Sequence, residues 1–162
     1  MTVLYPPTVI LRSPRENPRK CSVLPLKGRP DLIFLTYPAR RLPPLEGYVR
    51  LATEGEELTP RDSTCGLLLL DASWRWAEVM SRDFQAVPPR ALRGYRTAYP
   101  RQSKRGTDPD NGLASVEALF LAYHLLGRPT AGLLDHYRWA EEFLRLNGLA
   151  VGASETAGRR EA

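Results

Sequence analysis

Residues 67–80 read LLLLDASWRWAEVM. The leucines complete a short apolar run, 66–71, that has the length of a buried strand and stops on a carboxylate. Trp74, Ala77 and Met80 then fall at helical spacing, and Pro88-Pro89 ends any helix well beyond them. Strand, tight turn and helix in that order are the building unit of a layered α/β domain. Ligands of open α/β sheets lie outside the carboxyl ends of the strands, so 71–74 is where a ligand site is expected. The competing reading is a helix-capping Asp followed by two core tryptophans.

Working outward, DLIFLTY (31–37) is a second buried strand, and the opening TVLYPPTVIL supplies a third that its Pro6-Pro7 pair would split or confine to an edge. Residues 39–62 are rich in Pro and charge, and within them LTPRD starts a short helical turn. SVEALFLAYHLLG (115–127) is a helix buried on most sides, with Ser115 as N-cap, Glu117 in its first turn and Gly127 as its stop. TAGLLDHYRWAEEFLRLNG (130–148) reads as one helix capped by Thr130, with Leu133, Tyr137, Ala140, Phe143 and Leu144 on one face. Residues 1–150 are read as a single domain and 151–162 as a disordered tail.

Of 162 residues, 43% are hydrophobic and 25% charged, the balance of an ordinary globular chain. No apolar run reaches the ~20 residues of a membrane span and no signal peptide is evident, so a cytoplasmic address is expected. Cys21 and Cys65 have no close Cys or His neighbours in sequence, which suggests two free thiols and no metal. Arg19 and Lys20 would lower the Cys21 thiol pKa, but Cys21 is read as structural. His124 is read as a core histidine and His136 as a surface one. Neither G-x-G-x-x-G, a P-loop nor a G-x-S-x-G elbow is present.

The net charge of +5 is unevenly distributed. Residues 1–50 hold nine Lys/Arg against three acids and 82–105 hold seven against one, whereas 51–81 hold two against six and 106–162 five against eight. Two basic blocks flanking the strand end would seat a polyanion if the fold brings them together. Arg15, Arg19, Lys20, Arg90, Arg93, Arg101, Lys104 and Arg105 are the candidate contacts to such a polyanion, which the resemblance described next implies is RNA, held through phosphate and without sequence reading.

Several short segments, in order, resemble the small-subunit rRNA aminocarboxypropyltransferases of ribosome biogenesis. NPRKCSV (17–23) stands for that family's D-P-[KR]-[KR]-C-T-G, DASW (71–74) for D-C-S-W, RALRGYRTAYP (90–100) partly for R-x-L-P-x-L-x-A-A-N-P, LASVEA (113–118) for L-S-C-V-E-A, and YRWAEEFLRLN (137–147) for F-K-W-G-x-x-F-L-x-L-N. DASWRWA is also similar to the D-x-T-W-x-x-A of the DTW-domain tRNA aminocarboxypropyltransferases. The family's N-P-V-N-Y-G is replaced by the longer and more basic YPRQSKRGTDPDNG (99–112), which leaves the substrate open.

The resemblance implies a knotted, SPOUT-like methyltransferase-type α/β fold. It implies transfer of the 3-amino-3-carboxypropyl group of S-adenosylmethionine to a uridine or pseudouridine-type base in RNA, rRNA before tRNA, by a chain taken as monomeric. The alternatives are a tRNA aminocarboxypropyltransferase, a SPOUT-type RNA methyltransferase and a catalytically silent RNA-binding assembly module. Ser22 is then expected at the cofactor's methionine end and Trp74 at its cation. Leu70 and Asp71 would form the strand end of the pocket. Leu92 to Ala98 and Leu113, Ala114 and Ser115 would line adenine and ribose through backbone groups. A ring nitrogen attacks best after losing its proton, so Asp71 is the general-base candidate, with ligand orientation or helix capping as its other readings. Trp76 and Trp139 are read as packing.

Overall fold

A computed structural model describes residues 5–100 and 112–149. Six strands form one wholly parallel sheet: β1 (Thr8–Arg12), β2 (Leu32–Thr36), β3 (Tyr48–Ala52), β4 (Glu56–Glu57), β5 (Gly66–Asp71) and β6 (Pro89–Ala91), in the order β2-β1-β5-β3-β6-β4. Three α-helices accompany them among the described residues: α1 (Trp74–Ser81), α2 (Ser115–Leu126) and α3 (Ala140–Leu146).

Parallel sheets must be covered on both faces, and the alternation of side chains along β5 shows how this one is. Leu67 and Leu69 join Ile10, Val49 and Leu51 under Leu119, Tyr123 and Phe143 of α2 and α3. Leu68 points the other way, with Val9, Leu11 and Tyr48 under Met80, Phe84 and Val87 of α1 and the turns that follow it.

The run 66–71 is the strand expected, and 31–37 holds β2. The opening segment departs from expectation. Pro6 and Pro7 precede β1, which then loses no ladder N–H to them and lies inside the sheet between β2 and β5. LTPRD does form a 3-10 turn, Pro60–Asp62, capped by Thr59. The helix expected over 130–148 is shorter: Gly132 sits at φ +84°, outside the helical basin, and only Ala140–Leu146 is helical. Its apolar residues still share a core, since Leu133, Tyr137, Phe143 and Leu144 are all buried. Ala114, not Ser115, is the N-cap of α2. His124 is exposed, so the core reading of that residue is corrected, and His136 is exposed as expected. Residues 151–162 lie outside the described residues.

The connection leaving β1 runs to one side, to β2, while that leaving β5 runs to the other, through α1 to β6. Neighbouring strands whose chains depart in opposite directions open a crevice at their carboxyl ends. Arg12 and Asp71, register partners on β1 and β5, stand at its floor.

Candidate functional site at the carboxyl ends of β1 and β5

Asp71 is 3% exposed and accepts from three side chains. Arg12 Nε donates to Oδ2 at 3.0 Å, Cys21 Sγ to the same oxygen at 3.1 Å, and Ser115 Oγ to Oδ1 at 2.6 Å. The Asp71 carbonyl accepts from Ser13 N at 2.9 Å, which extends the β1–β5 ladder by one step. The carboxylate thus joins the β1 loop, the cysteine loop and the start of α2. It does not cap α1, whose N-cap is Ser73, so the capping reading is corrected.

Cys21 is the cysteine of the NPRKCSV segment and its structural reading stands, but its environment is the reverse of an activated thiol. Burial, and then the charge of and hydrogen bond to Asp71, push its pKa up despite Arg19 and Lys20 next to it in sequence. Ser22 follows and accepts from Val116 N at 3.1 Å, satisfying one of the free N–H groups at the start of α2 from another segment.

Arg12 carries no sequence signal of its own. Its Nε is engaged by Asp71, yet its Nη2 is buried with no hydrogen-bond partner among the described residues. A buried donor left unpaired costs about 1 to 3 kcal/mol. Glu16, further along the same loop, is half-buried. Its carboxyl pKa is raised by burial and by the charge of Asp71, against an opposing pull from Arg12.

The rest of the crevice is organised by Glu117, which is fully buried. Thr97 Oγ1 donates to its Oε1 at 2.6 Å and Ala114 N to the same atom at 2.8 Å. Ala98 N and the Tyr137 hydroxyl donate to Oε2 at 2.8 and 2.9 Å. One carboxylate therefore fixes the loop after β6 to the loop before α2. Asn147, just past α3, takes the same loop one residue earlier: its Oδ1 accepts from Arg96 N at 2.7 Å and its Nδ2 donates to Arg96 O at 2.9 Å. The only sequence sign of either role was their place in the segments LASVEA and FLRLN.

Leu92 is buried in the core, and Leu113, Ala114 and Ala98 pack at the core's margin. Leu70, half-buried, packs against the opposite cluster. Trp74, half-buried in the first turn of α1, meets the chain at Gly112 so closely that a Cβ there would stand 2.7 Å from the ring. Trp139 packs edge-on to Tyr99 and Tyr137, as its packing reading requires. Trp76 differs: it is half-buried with the Arg15 guanidinium 4.1 Å over its ring.

Arg15, Arg19 and Lys20 are exposed on the loop leaving β1. Arg90 and Arg93 are not gathered with them. Arg90 is engaged by Asp62 at 3.3 Å, and Arg93 by Glu57 at 3.4 Å and the Gly55 carbonyl at 2.8 Å, near β4 at the far edge of the sheet. Acidic residues of the 51–81 segment occupy these two arginines. Arg101, Lys104 and Arg105 lie outside the described residues. Among the described residues no group of acids, cysteines and histidines has the arrangement of a metal site, and no helix is long and apolar enough to cross a membrane.

No protein-family model and no curated protein sequence matches the chain. Among solved structures, the fold is similar to that of the SAM-dependent rRNA:acp-transferase Tsr3 from Vulcanisaeta distributa, with a TM-score of 0.67 over 88% of this chain and 79% of that one, at 23% sequence identity. At that identity the likeness establishes the fold.

Proposed function

We propose that the protein transfers the 3-amino-3-carboxypropyl group of S-adenosylmethionine to a uridine or pseudouridine-type base of small-subunit rRNA. One observation carries this reading: Asp71, in the DASW segment, lies at the switch point of a sheet whose fold is shared with an rRNA:acp-transferase. The residues present suit that cofactor. Trp74 offers an aromatic ring to a cation, and Glu117 and Asn147 fix the backbone of the loops at 96–98 and 114 that would border adenine and ribose. When bound, the cofactor supplies a sulfonium whose three adjacent carbons are electrophilic.

The chain's part is orientation and proton transfer. Which carbon reacts depends on which is held in line with the nucleophile at ~3 to 3.5 Å. Asp71 accepts three donors already, so it takes the ring proton most directly through Ser115, whose hydroxyl lies 2.6 Å from Oδ1. Ser115 Oγ would accept the proton from the base while passing its own to Asp71. Ser22, held by Val116 N, keeps its hydroxyl proton available for the methionine end. Arg15, Arg19 and Lys20 supply phosphate contacts beside the crevice, and the target base must be unpaired or flipped to enter it.

Three further parts of the reading are proposals of the same kind. The chain adopts a knotted SPOUT-type fold, a reading that the contacts of Ser115 with Asp71 and of Val116 with Ser22 support by bringing the start of α2 back onto earlier segments. Residues 1–150 act as one monomeric unit. The protein works in the cytoplasm, with its RNA.

The test is transfer to bulk RNA from S-adenosylmethionine labelled either in the carboxyl carbon or in the methyl group. Carboxyl label alone is expected in RNA, and Asp71→Asn and Ser115→Ala should each lower its rate by about 10²-fold or more. Methyl label alone would overturn the chemistry, and absence of both with no cofactor binding would leave a silent RNA-binding module.

A further inference from the structure

Trp76 is a tryptophan that the core does not use. Trp139 packs against the apolar layer of α2 and α3, whereas Trp76 joins neither of the two layers that cover the sheet. It is half-buried in the first turn of α1, one helical turn before the buried Met80 and just beyond the strand end at Asp71. A cation from another segment covers its ring: the Arg15 guanidinium, on the loop leaving β1, lies 4.1 Å over it. Arg15 is itself exposed and, like Arg19 and Lys20 further along the same loop, forms no ion pair with a described residue. A free surface arginine wanders among many rotamers, but one seated on an indole holds its plane in a fixed attitude. A held, flat, exposed cation beside further uncompensated positive charge matches a nucleobase on a phosphodiester chain: the base stacks on the guanidinium plane while its phosphates meet the neighbouring cations. An acidic peptide would use the charges and leave the plane idle.

We propose that Arg15 and Trp76 form a stacking platform for a nucleobase of single-stranded RNA beside the target base, Arg15 meeting the base and Trp76, beneath it, positioning the guanidinium. The proposal rests on the RNA reading above and deepens it, since it assigns part of the affinity to a base instead of to phosphate. It also gives the strand a second hold next to the crevice while the target base is turned out of its stack.

Two single strands separate these contributions: an octamer of ribose phosphates without bases, and the same octamer carrying one central adenine. At low salt the wild type is expected to bind the adenine strand about 5- to 100-fold more tightly, the worth of one stacked base, with the same salt dependence for both strands. Arg15→Lys, which keeps the charge and loses the plane, should abolish that preference while leaving the affinity for the baseless strand within about twofold. Trp76→Leu should reduce the preference in the same way, and Trp76→Phe should restore part of it. Unchanged affinity for the baseless strand certifies the fold of each variant. A preference that survives Arg15→Lys overturns the platform, as does a loss that falls equally on both strands, which would make Arg15 a phosphate contact alone. A wild type that binds both strands alike overturns the platform and leaves the RNA reading standing. If the wild type binds neither strand, the RNA reading falls and the platform with it.

Discussion

Glu117 is a buried carboxylate with no ion-pair partner among the described residues, held instead by two hydroxyls and two backbone N–H groups. Four donors converge on its two oxygens, two on each, and the pair on one oxygen would face a wrong partner if that half of the group became an amide. Glu117→Gln should therefore cost about 2 to 4 kcal/mol and lower the melting temperature by roughly 5 to 15 °C, read by thermal unfolding. Tyr137→Phe, which removes one donor, should cost about 1 kcal/mol. An equal cost for both would show that Glu117 is not the organiser. Burial first, and then the Glu117 charge, push the Tyr137 phenol pKa well up, so it remains a donor across the ordinary range. From sequence, Glu117 reads as the acid of a helix's first turn, and that much holds, because it bonds Ala114 N in a capping arrangement. Its other partners come from 97, 98 and 137, and no local pattern announces them. The same is true of Arg12: its meeting with Asp71 is a consequence of strand order.

Between β2 and the segment before α3, Arg29 makes two bonds to Asp31 at 3.0 Å and one to the Ala131 carbonyl at 2.9 Å. Burial alone would raise the Asp31 pKa, but its hydrogen bonds with and attraction to Arg29 win and hold it below the usual carboxylate range. A carboxyl depressed on folding adds stability that is complete above its unfolded pKa and is lost as pH falls through the folded one. Asp31→Asn should thus be destabilising at pH 6 and match the wild type near pH 2, in paired denaturant titrations. A difference that persists undiminished at low pH would show that the clasp owes nothing to the Asp31 charge. Such elements were unevenly legible. β5 and α2 announced themselves by unbroken apolar runs. In β3 the sequence YVRLA sets Arg50 in mid-strand, 6% exposed, which hid the pattern. β6 is three residues, Pro89–Ala91, made a strand by its neighbours β3 and β4. The helix read over 130–148 kept its apolar face but not its continuity, because a glycine at positive φ reverses the chain without changing which side chains reach the core.

Across the molecule, charge segregated along the sequence is not segregated in space. The second basic block loses Arg90 and Arg93 to Asp62, Glu56 and Glu57 of the acidic block, while the first keeps Arg15, Arg19 and Lys20 at the surface beside the switch point. Replacing those three by Glu should weaken RNA binding and flatten its salt dependence, the log–log slope falling by roughly 0.7 for each phosphate of single-stranded RNA that is no longer neutralised. Replacing Arg90 and Arg93 should leave that slope unchanged and instead loosen the β4–β6 edge. The reverse pattern would place the RNA on the other side of the sheet.

The Asp71 cluster draws on residues 12, 21 and 115, so its members are synthesised well apart in time. Synthesis delivers β1, the cysteine loop and β5 first, and these can pair while Asp71 still lacks the Ser115 hydroxyl and Ser22 still lacks Val116. Until α2 has emerged and docked, the nascent polypeptide has a sheet without a finished crevice. On the proposed reading, a copy that stops short of α2 has no complete pocket to offer an RNA.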